Sequence, residues 1–285
     1  MMTATKKTKK QQHNYSWIVL KELVKTDFKL RYQGSFLGVA WSVLKPLMLF
    51  CVMYVVFVKF LRFTDGTPTF PLVLLLGISL WNFFSEATMM GLNAITGRGD
   101  LLRKIDFPKY IVVVSATINA LIGLVINMCV VLIFCVFTHV RFTWRVLLLP
   151  FNFAQFYLLA LGFSLLLATL NVYFRDIQHI WEVVSQLLFY ATPIIYPLQL
   201  VISNLYQDIG MAGAQMVCKL LLLSPPAQII QDIRHNMIAP DTTPTVWTLW
   251  GSHWAQFIPV ALTFVLLAFA MYEFRKHSKK FAEVL

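Results

Sequence analysis

The side chains that could perform covalent or acid–base chemistry are few and scattered in this sequence. Its four cysteines form no Cys-x-x-Cys pair, and its six histidines have no metal-binding spacing. The sequence contains no Gly-x-x-x-x-Gly-Lys-[Ser/Thr] loop, His-Glu-x-x-His helix or Asp-x-Asp pair, and patterns of this kind bind nucleotide phosphates or catalytic metals. We therefore expect no catalytic residue, no metal site and no cofactor bound to this chain.

Charged residues inside long apolar runs are the next candidates, because a charge at membrane depth is costly and usually functional. Four occur, at Lys45, Glu86, Glu182 and Glu273. Glu182 and Glu273 lie near the ends of their runs, so Glu86 is the deepest carboxylate. Two roles are open for Glu86: it lines a polar path, or it hydrogen-bonds across helices.

Aromatic side chains are the third group, and they make up 15% of the chain. The flat face of an aromatic ring packs against the apolar face of a sugar ring and tolerates slippage, so aromatic residues suit a glycan conduit. Packing within a helix bundle or against lipid is the alternative for each ring. The candidate conduit residues lie on apolar runs or at their outer ends: Trp41, Tyr54, Trp81, Phe189, Tyr190 and Tyr196.

The elements that position these residues are long apolar segments. The sequence is 58% hydrophobic and 13% charged, with a mean hydropathy of +0.68, whereas soluble domains are about 45–50% apolar and about 25% charged. A membrane-spanning helix needs about 20 mostly apolar residues. Six runs meet this requirement, so we expect an all-α, polytopic integral membrane protein with six transmembrane helices. The predicted spans are residues 36–59, 70–92, 110–138, 146–171, 180–201 and 255–274.

The distribution of basic residues predicts the orientation of these spans. With both termini in the cytoplasm, 17 Lys and Arg residues lie inside and 6 lie outside, which follows the positive-inside rule. The net charge of +11 therefore indicates contact with anionic membrane lipids and not with nucleic acid. The predicted organisation is a cytoplasmic N-terminus with an interface helix (1–35), a six-helix transmembrane domain (36–274) and a cytoplasmic tail (275–285).

The segment before the first span is predicted to be an amphipathic helix at the membrane interface. Trp17, Leu20, Val24 and Phe28 recur at helical spacing within residues 15–33, beside a stripe of lysines. Such a helix lies in the plane of the interface with its apolar side toward the membrane. The alternative is a plain cytoplasmic helix that packs on protein.

The connection before the last span, residues 202–254, is long and extracellular in the predicted topology. Its short apolar run, residues 216–223, cannot span a membrane and is followed by two prolines that break a helix. Short apolar helices of this kind are typical of re-entrant segments. Pro193 and Pro197 are expected to end or kink the fifth span near its outer end.

Four stretches of the sequence carry a family resemblance. Residues 23–46 (LVKTDFKLRYQGSFLGVAWSVLKP) and 101–110 (LLRKIDFPKY) resemble the family's start of the first span and its cytoplasmic turn ending in Phe-Pro-[Lys/Arg]. Residues 171–197 match its Asn-x-x-x-Arg-Asp start and Thr-Pro-[Ile/Val]-x-Tyr-Pro end of span five. Residues 224–234 (SPPAQIIQDIR) resemble a further motif, with Ser for the usual Asn and Ile for the usual aromatic. The matching positions in the first stretch are Asp27, Lys29, Arg31, Tyr32, Leu37, Gly38, Trp41 and Pro46.

In order and spacing these stretches are similar to the permease subunit of polysaccharide-exporting type-2 ABC transporters, which move O-antigen, teichoic acid or capsule precursors. The resemblance implies a transport subunit and not an enzyme, with ATP and Mg on a separate ATPase subunit. It implies two permeases and two ATPases in the bacterial cytoplasmic membrane, with a lipid-linked glycan as substrate. The alternatives are an exporter of drugs or small lipids with the same fold, and a membrane-embedded glycosyl or lipid transferase.

The resemblance also implies roles for particular segments. The turn at about 92–109 would be a coupling helix, whose apolar residues enter a groove on the ATPase while charged residues set the orientation. Spans one and five would line the conduit between two copies. The start of the fifth span would cap its own helix or contact the ATPase. The coupling residues would be Arg98, Asp100, Leu101, Leu102, Arg103 and Lys104, the start of span five Arg175 and Asp176, and the residues that receive a lipid pyrophosphate at the interface Lys25, Lys29, Arg31 and Tyr32.

Overall fold

A computed structural model describes residues 9–62, 65–105 and 107–284. Every regular element within these ranges is helical, so the prediction of an all-α polytopic membrane protein is confirmed. The helices are α1 (Lys9–Tyr32), α2 (Trp41–Met53), α3 (Phe70–Ala94), α4 (Gly99–Lys104), α5 (Tyr110–Phe137), α6 (Leu149–Tyr173), α7 (Ile177–Ala191), α8 (Leu198–Leu223), α9 (Pro225–Met237), α10 (Val246–Trp250), α11 (Phe257–Ser278) and α12 (Phe281–Val284).

Five helical segments of the described chain are long and apolar enough to cross a membrane. The first is continuous from a 3-10 turn through α2 to a π-helical end. All five begin and end within a few residues of predicted spans. An uninterrupted apolar run forms a helix in a bilayer because its backbone groups can only hydrogen-bond to one another there. The segments are Gly38–Phe60, Phe70–Ala94, Tyr110–Phe137, Trp144–Tyr173 and Trp254–Ser278.

The predicted fifth span, 180–201, is the one that differs. Its helix, α7, has only 15 residues, which is about 22 Å at roughly 1.5 Å per residue and shorter than the roughly 30 Å hydrocarbon core. The helix ends because Thr192 is extended (ψ 131°), the conformation that a following proline favours.

The connection that follows α7 is helical: it contains α8, which is kinked at Gly210 (φ 71°), and the 13-residue α9. α8 and α9 meet at 96°, which is the geometry of a broken span or a re-entrant loop. The bend falls at Ser224, which is extended with ψ 123° ahead of two prolines. The described chain therefore has five spans, or six if the bent pair counts as one.

α3 is the central helix, and it packs against both α5 and α6. It approaches α6 closely at Gly91, where a Cβ atom would lie 2.3 Å from the Cβ of Ser164. The Ser164 hydroxyl also donates a hydrogen bond across the interface to the Ala87 carbonyl at 3.0 Å. Small residues and hydroxyl groups of this kind hold helices together where lipid removes the hydrophobic driving force.

The first span, Gly38–Phe60, is the most exposed span of the bundle. Only 6% of its apolar window is buried, compared with 78% for the span that contains α3. It contacts α3 and α5 along one side, so most of its apolar surface faces away from the subunit.

Candidate functional site

The turn predicted to couple the chain to an ATPase is held by α1. Arg98 forms an ion pair with Asp27 and also donates to the Ser115 hydroxyl at 3.3 Å. The Asn119 amide donates to the same Asp27 carboxylate at 3.4 Å. Arg98 is thus engaged within the subunit and links the interface helix to the turn before α4.

The residues of α4 divide into buried and exposed sets. Leu102 is 5% exposed and belongs to a buried cluster with Phe107 and Phe281, so it anchors the short helix to its own subunit. Ile105, 40% exposed, is the apolar side chain that remains accessible here. Leu101 is half-buried, whereas Asp100, Arg103 and Lys104 are exposed.

A groove of about 580 Å³ lies beside α4 and brings two predicted groups together. Asn171, near the end of α6, lines this groove, and its amide donates a hydrogen bond to the Leu92 carbonyl at 3.2 Å. Asp176 occupies the first position before α7, but its side chain makes no capping hydrogen bond. The expected cap is therefore absent, and both Arg175 and Asp176 are exposed. The charged residues that line the groove are Arg98, Asp100, Arg103 and Arg175.

The interface helix ends at a second cavity, of about 370 Å³, between α1, α2, α3 and α5. Arg31 forms an ion pair with Glu86, and their side chains are 33% and 29% exposed. Lys45, an exposed residue of α2, lines the same cavity with Trp41. The ion pair of Glu86 with Arg31 therefore joins α3 to α1. The described lining of the cavity has two cations, Arg31 and Lys45, and one carboxylate, Glu86, so its net charge is positive.

The other predicted interface residues lie elsewhere. Lys25 and Lys29 are exposed on α1. The side chain of Tyr32 lies outside the described part of the structure. Arg31 is thus a predicted interface residue that lines the cavity between α1, α2, α3 and α5.

The predicted conduit aromatics occupy different environments. Trp81 is 6% exposed and packs against Phe84 and Phe189, with ring centroids 5.4 and 5.7 Å away, so its ring supports Phe189 from the core. Tyr190 is 55% exposed, and its carbonyl accepts a hydrogen bond from the Tyr196 hydroxyl at 2.9 Å.

The first span carries the remaining two conduit candidates. Trp41 is 45% exposed, and Tyr54 is partly buried. Lys59 lies 5.5 Å from the centroid of the Tyr54 ring. These two aromatic residues therefore sit on the most exposed span.

The end of the bundle opposite α4 contains a buried arginine contact that sequence reasoning missed. Arg234 was counted as an extracellular loop residue, yet it is 3% exposed. It donates to the carbonyls of Pro193 and Ile194 at 2.6 and 2.7 Å, because the prolines after α7 leave these carbonyls without helical donors. Gly77 makes room for it, since a Cβ there would lie 1.8 Å from the guanidinium.

α9 also carries a buried polar network that the sequence did not reveal. The Gln155 amide of α6 donates to Gln228 at 2.8 Å, and Gln228 and Gln256 both donate to the Asp232 carboxylate. Asn236 donates to Asn152 of α6 at 3.0 Å. These hydrogen bonds fasten α9 to α6 and to the start of α11.

The fold and these surfaces define a class: a multi-pass helical membrane protein whose described residues include no group of three His, Cys, Asp or Glu placed to hold a metal. Residues 19–210 match the ABC-2 type transporter family. The match covers more than half of the chain, and the chain belongs to this family. It is therefore a membrane transport subunit.

Curated relatives agree with this family. The chain is 33% identical over 199 residues, covering 70% of its own length and 76% of the relative's, to the O-antigen export system permease protein RfbA of Myxococcus xanthus. It is 26% identical over 196 residues to a protein of the same name from Klebsiella pneumoniae, covering 66% of this chain and 73% of the relative. Among the predictions above, the recognition of an ABC exporter permease is confirmed.

Proposed function

We propose that this chain is the permease of an ATP-driven exporter that moves a lipid-linked polysaccharide across the bacterial cytoplasmic membrane. The observation that carries the proposal is the 33% identity to an O-antigen export permease over 76% of that relative's length. The cavity that holds Arg31, Lys45 and Trp41 supports it, because cations beside an aromatic ring suit a phosphorylated sugar.

The conduit is formed between two copies of the chain. The span Gly38–Phe60 is only 6% buried within the subunit, and it carries the exposed cation Lys45. A charged lysine is costly where it faces the hydrocarbon of the membrane. A second copy that covers this span and encloses a polar path removes that cost, with Trp41 and Tyr54 as wall residues.

The lipid pyrophosphate binds where α1 meets the first span. Arg31 and Lys45 line one cavity there, and Glu86 neutralises one of the two cations. The remaining positive charge attracts a phosphate, and charge-assisted hydrogen bonds from such cations are roughly twice as strong as neutral ones. Exposed Lys25 and Lys29 on α1 add long-range attraction to anionic headgroups.

The power for transport comes from a separate ABC ATPase, two copies of which bind ATP and Mg. The docking surface is the exposed side of α4 and the residue that follows it, Ile105, which is the accessible apolar anchor. Arg103 lines the adjoining groove. An apolar anchor within a charged rim is the usual arrangement at protein interfaces. Both termini of the permease lie on this cytoplasmic side.

Two other functions have no specific observation in their favour. An exporter of drugs or small lipids shares this fold, but the cationic cavity beside Trp41 suits a phosphorylated substrate better. A membrane-embedded glycosyl or lipid transferase that uses a metal needs acidic ligands close together, and the described residues place no three His, Cys, Asp or Glu side chains to hold a metal.

Deletion of the gene in its host tests the proposal. We expect surface polysaccharide to disappear and lipid-linked polysaccharide to accumulate on the cytoplasmic side, with both effects reversed by the wild-type gene. Normal surface polysaccharide in the deletion strain would contradict the proposed function.

A further inference from the structure

A cavity of about 270 Å³ lies at the end of the bundle opposite α4, where the N-terminal ends of α6 and α11 meet α9 and the segment around α10. It is separate from the first span and from the proposed conduit. Its polar lining comes from α6, α9 and the residues before α11. The residues that matter for its chemistry are Asn152, Asp232, Asn236, Trp247, Gln256 and Phe257.

Asp232 is the key residue of this cavity. It is 3% exposed, and its Oδ2 atom accepts hydrogen bonds from the amides of Gln228 and Gln256. Its Oδ1 atom is buried and has no hydrogen-bond partner among the described residues, and the same is true of Gln256 Oε1. Buried acceptors of this kind are normally satisfied, and both residues line the cavity, so a ligand that donates hydrogen bonds suits this cavity.

The other walls of the cavity narrow the chemistry of that ligand. Phe257 is 61% exposed, and the Trp247 ring packs edge-on against His235 with centroids 6.0 Å apart. Aromatic rings beside amide and carboxylate groups suit a molecule with an apolar face and several hydroxyls, because each hydroxyl both donates and accepts. A metal ion is a poorer match, since the described residues place no three metal-binding side chains together.

The size of the cavity also limits the ligand. About 270 Å³ lies near the lower end of the roughly 300–1,000 Å³ typical of small-molecule sites. One sugar ring suits this volume, whereas a polymer does not. The cavity is therefore suited to the end of a chain or to a single headgroup.

We propose that this cavity binds one sugar ring, with hydrogen bonds to Asp232 and Gln256 and stacking on Phe257. Two sources can supply such a ring, the exported glycan as it leaves the membrane or the headgroup of a membrane glycolipid. Assignment to the exported glycan rests on the proposed function above, whereas the sugar site itself does not.

Ligand-observed NMR on the full permease–ATPase complex in phospholipid nanodiscs tests the site. The probes are soluble methyl glycosides of glucose, galactose and mannose. We expect saturation transfer to at least one glycoside in the wild type, and at least about tenfold weaker binding in Asp232→Asn, since one of the two acceptor oxygens is replaced by an amide donor. Asp208→Asn, an exposed carboxylate on α8, is the matched control and should bind as the wild type does.

Phe257→Leu supplies a second variant at an exposed position, and it decides the question if Asp232→Asn fails to assemble. Absence of binding to all three glycosides in the wild type overturns the proposal. So does binding in both cavity variants that equals binding in Asp208→Asn.

Two further comparisons identify the source of the sugar and separate this site from the proposed function. Weaker glycoside binding in nanodiscs that contain glucosyl-diacylglycerol supports the site and assigns it to a lipid headgroup, whereas unchanged binding supports it and assigns it to a free glycan end. If deletion of the gene abolishes surface polysaccharide but the glycosides do not bind, the proposed function stands and only the sugar site fails. If glycosides bind and surface polysaccharide is normal in the deletion strain, only the proposed function fails.

Discussion

Arg31, at the end of the interface helix, forms an ion pair with Glu86 in the middle of α3. The pair joins a helix that lies outside the five spanning segments to the most buried span. It also places Arg31 beside Lys45 in one cavity. The position of the interface helix and the charge of the cavity therefore depend on the same two residues.

Removal of Glu86 should loosen the interface helix. We expect Glu86→Ala to lower the free energy of unfolding by about 1 kcal/mol, because the pair is only partly shielded from solvent. Thermal unfolding of the detergent-solubilised protein measures the change. Glu22→Gln, an exposed carboxylate on α1, should have no effect, and equal losses in the two variants would count against the ion pair.

Charge inversion at Lys45 should weaken substrate binding. We expect Lys45→Glu to raise the KM for lipid-linked glycan in a reconstituted complex at least about tenfold, because the cavity changes from positive to negative. Lys45→Arg should retain most activity. Lys59→Glu, at the other end of the same span, is the control, and an equal effect there would show that charge on the span matters but the cavity does not.

The exposed side of α4 should control ATPase binding. Ile105→Asp is expected to weaken co-purification of the ATPase by at least about 30-fold, since loss of a central apolar anchor costs about 2 kcal/mol or more. Ile209→Asp, at an apolar position on α8 that is 49% exposed, is the control. Full recovery of the ATPase with Ile105→Asp would exclude this docking surface.

Gly77 and Arg234 should behave as a coupled pair. A Cβ at Gly77 meets the Arg234 guanidinium at 1.8 Å, so Gly77→Ala should destabilise the protein by about 1–3 kcal/mol through overpacking. Arg234→Met should cost at least about 2–3 kcal/mol, because two carbonyls lose their charged donor.

The double variant distinguishes this contact from two independent losses. Gly77→Ala should cost much less in the Arg234→Met background, because the clash is gone. Gly97→Ala, where a Cβ would meet nothing within 4 Å, is the control. Additive effects of Gly77→Ala and Arg234→Met in thermal unfolding would contradict the proposed contact.

The sequence predicted the long apolar spans well because hydropathy alone decides where a chain can cross a bilayer. It also located the helix breaks near Pro193 and before Pro225, but it did not show which of the remaining helices crosses the membrane. The 180–201 run is apolar enough to be read as a span, but Pro193 ends α7 at Ala191. Which helix crosses there depends on the 96° bend between α8 and α9, and no periodicity encodes that angle.

Polar residues were the second source of error. Arg234 and Asp232 fall within the predicted extracellular connection 202–254, and the sequence did not show that their side chains are buried. In the structure most of α9 is buried. Arg234 donates to carbonyls 41 and 40 residues earlier in the sequence, whereas Asp232 accepts hydrogen bonds from Gln228 and Gln256. The available signal was in the backbone that follows Thr192. The carbonyls of Pro193 and Ile194 have no helical donors, and buried backbone acceptors need donors, so a donor side chain from elsewhere was to be expected.

The candidate site was partly predictable. Arg31 and Trp41 were identified from the family resemblance and lie in one cavity, but the pairing of Arg31 with Glu86 was not foreseen because it joins helices 55 positions apart in the sequence. Leu102 was expected to face a partner and is buried instead, since one short helix must use part of its apolar surface to hold itself in place.

The most direct test of the proposed export function is a transport measurement. The purified permease and its ATPase are placed in proteoliposomes that contain the host's lipid-linked polysaccharide. The amount of polysaccharide that reaches the far side of the membrane is measured with a membrane-impermeant lectin. We expect ATP-dependent movement in the wild type and a strong reduction in Lys45→Glu. Lipid-linked polysaccharide that stays on its original side with ATP present, in a complex whose ATPase is active, would contradict it.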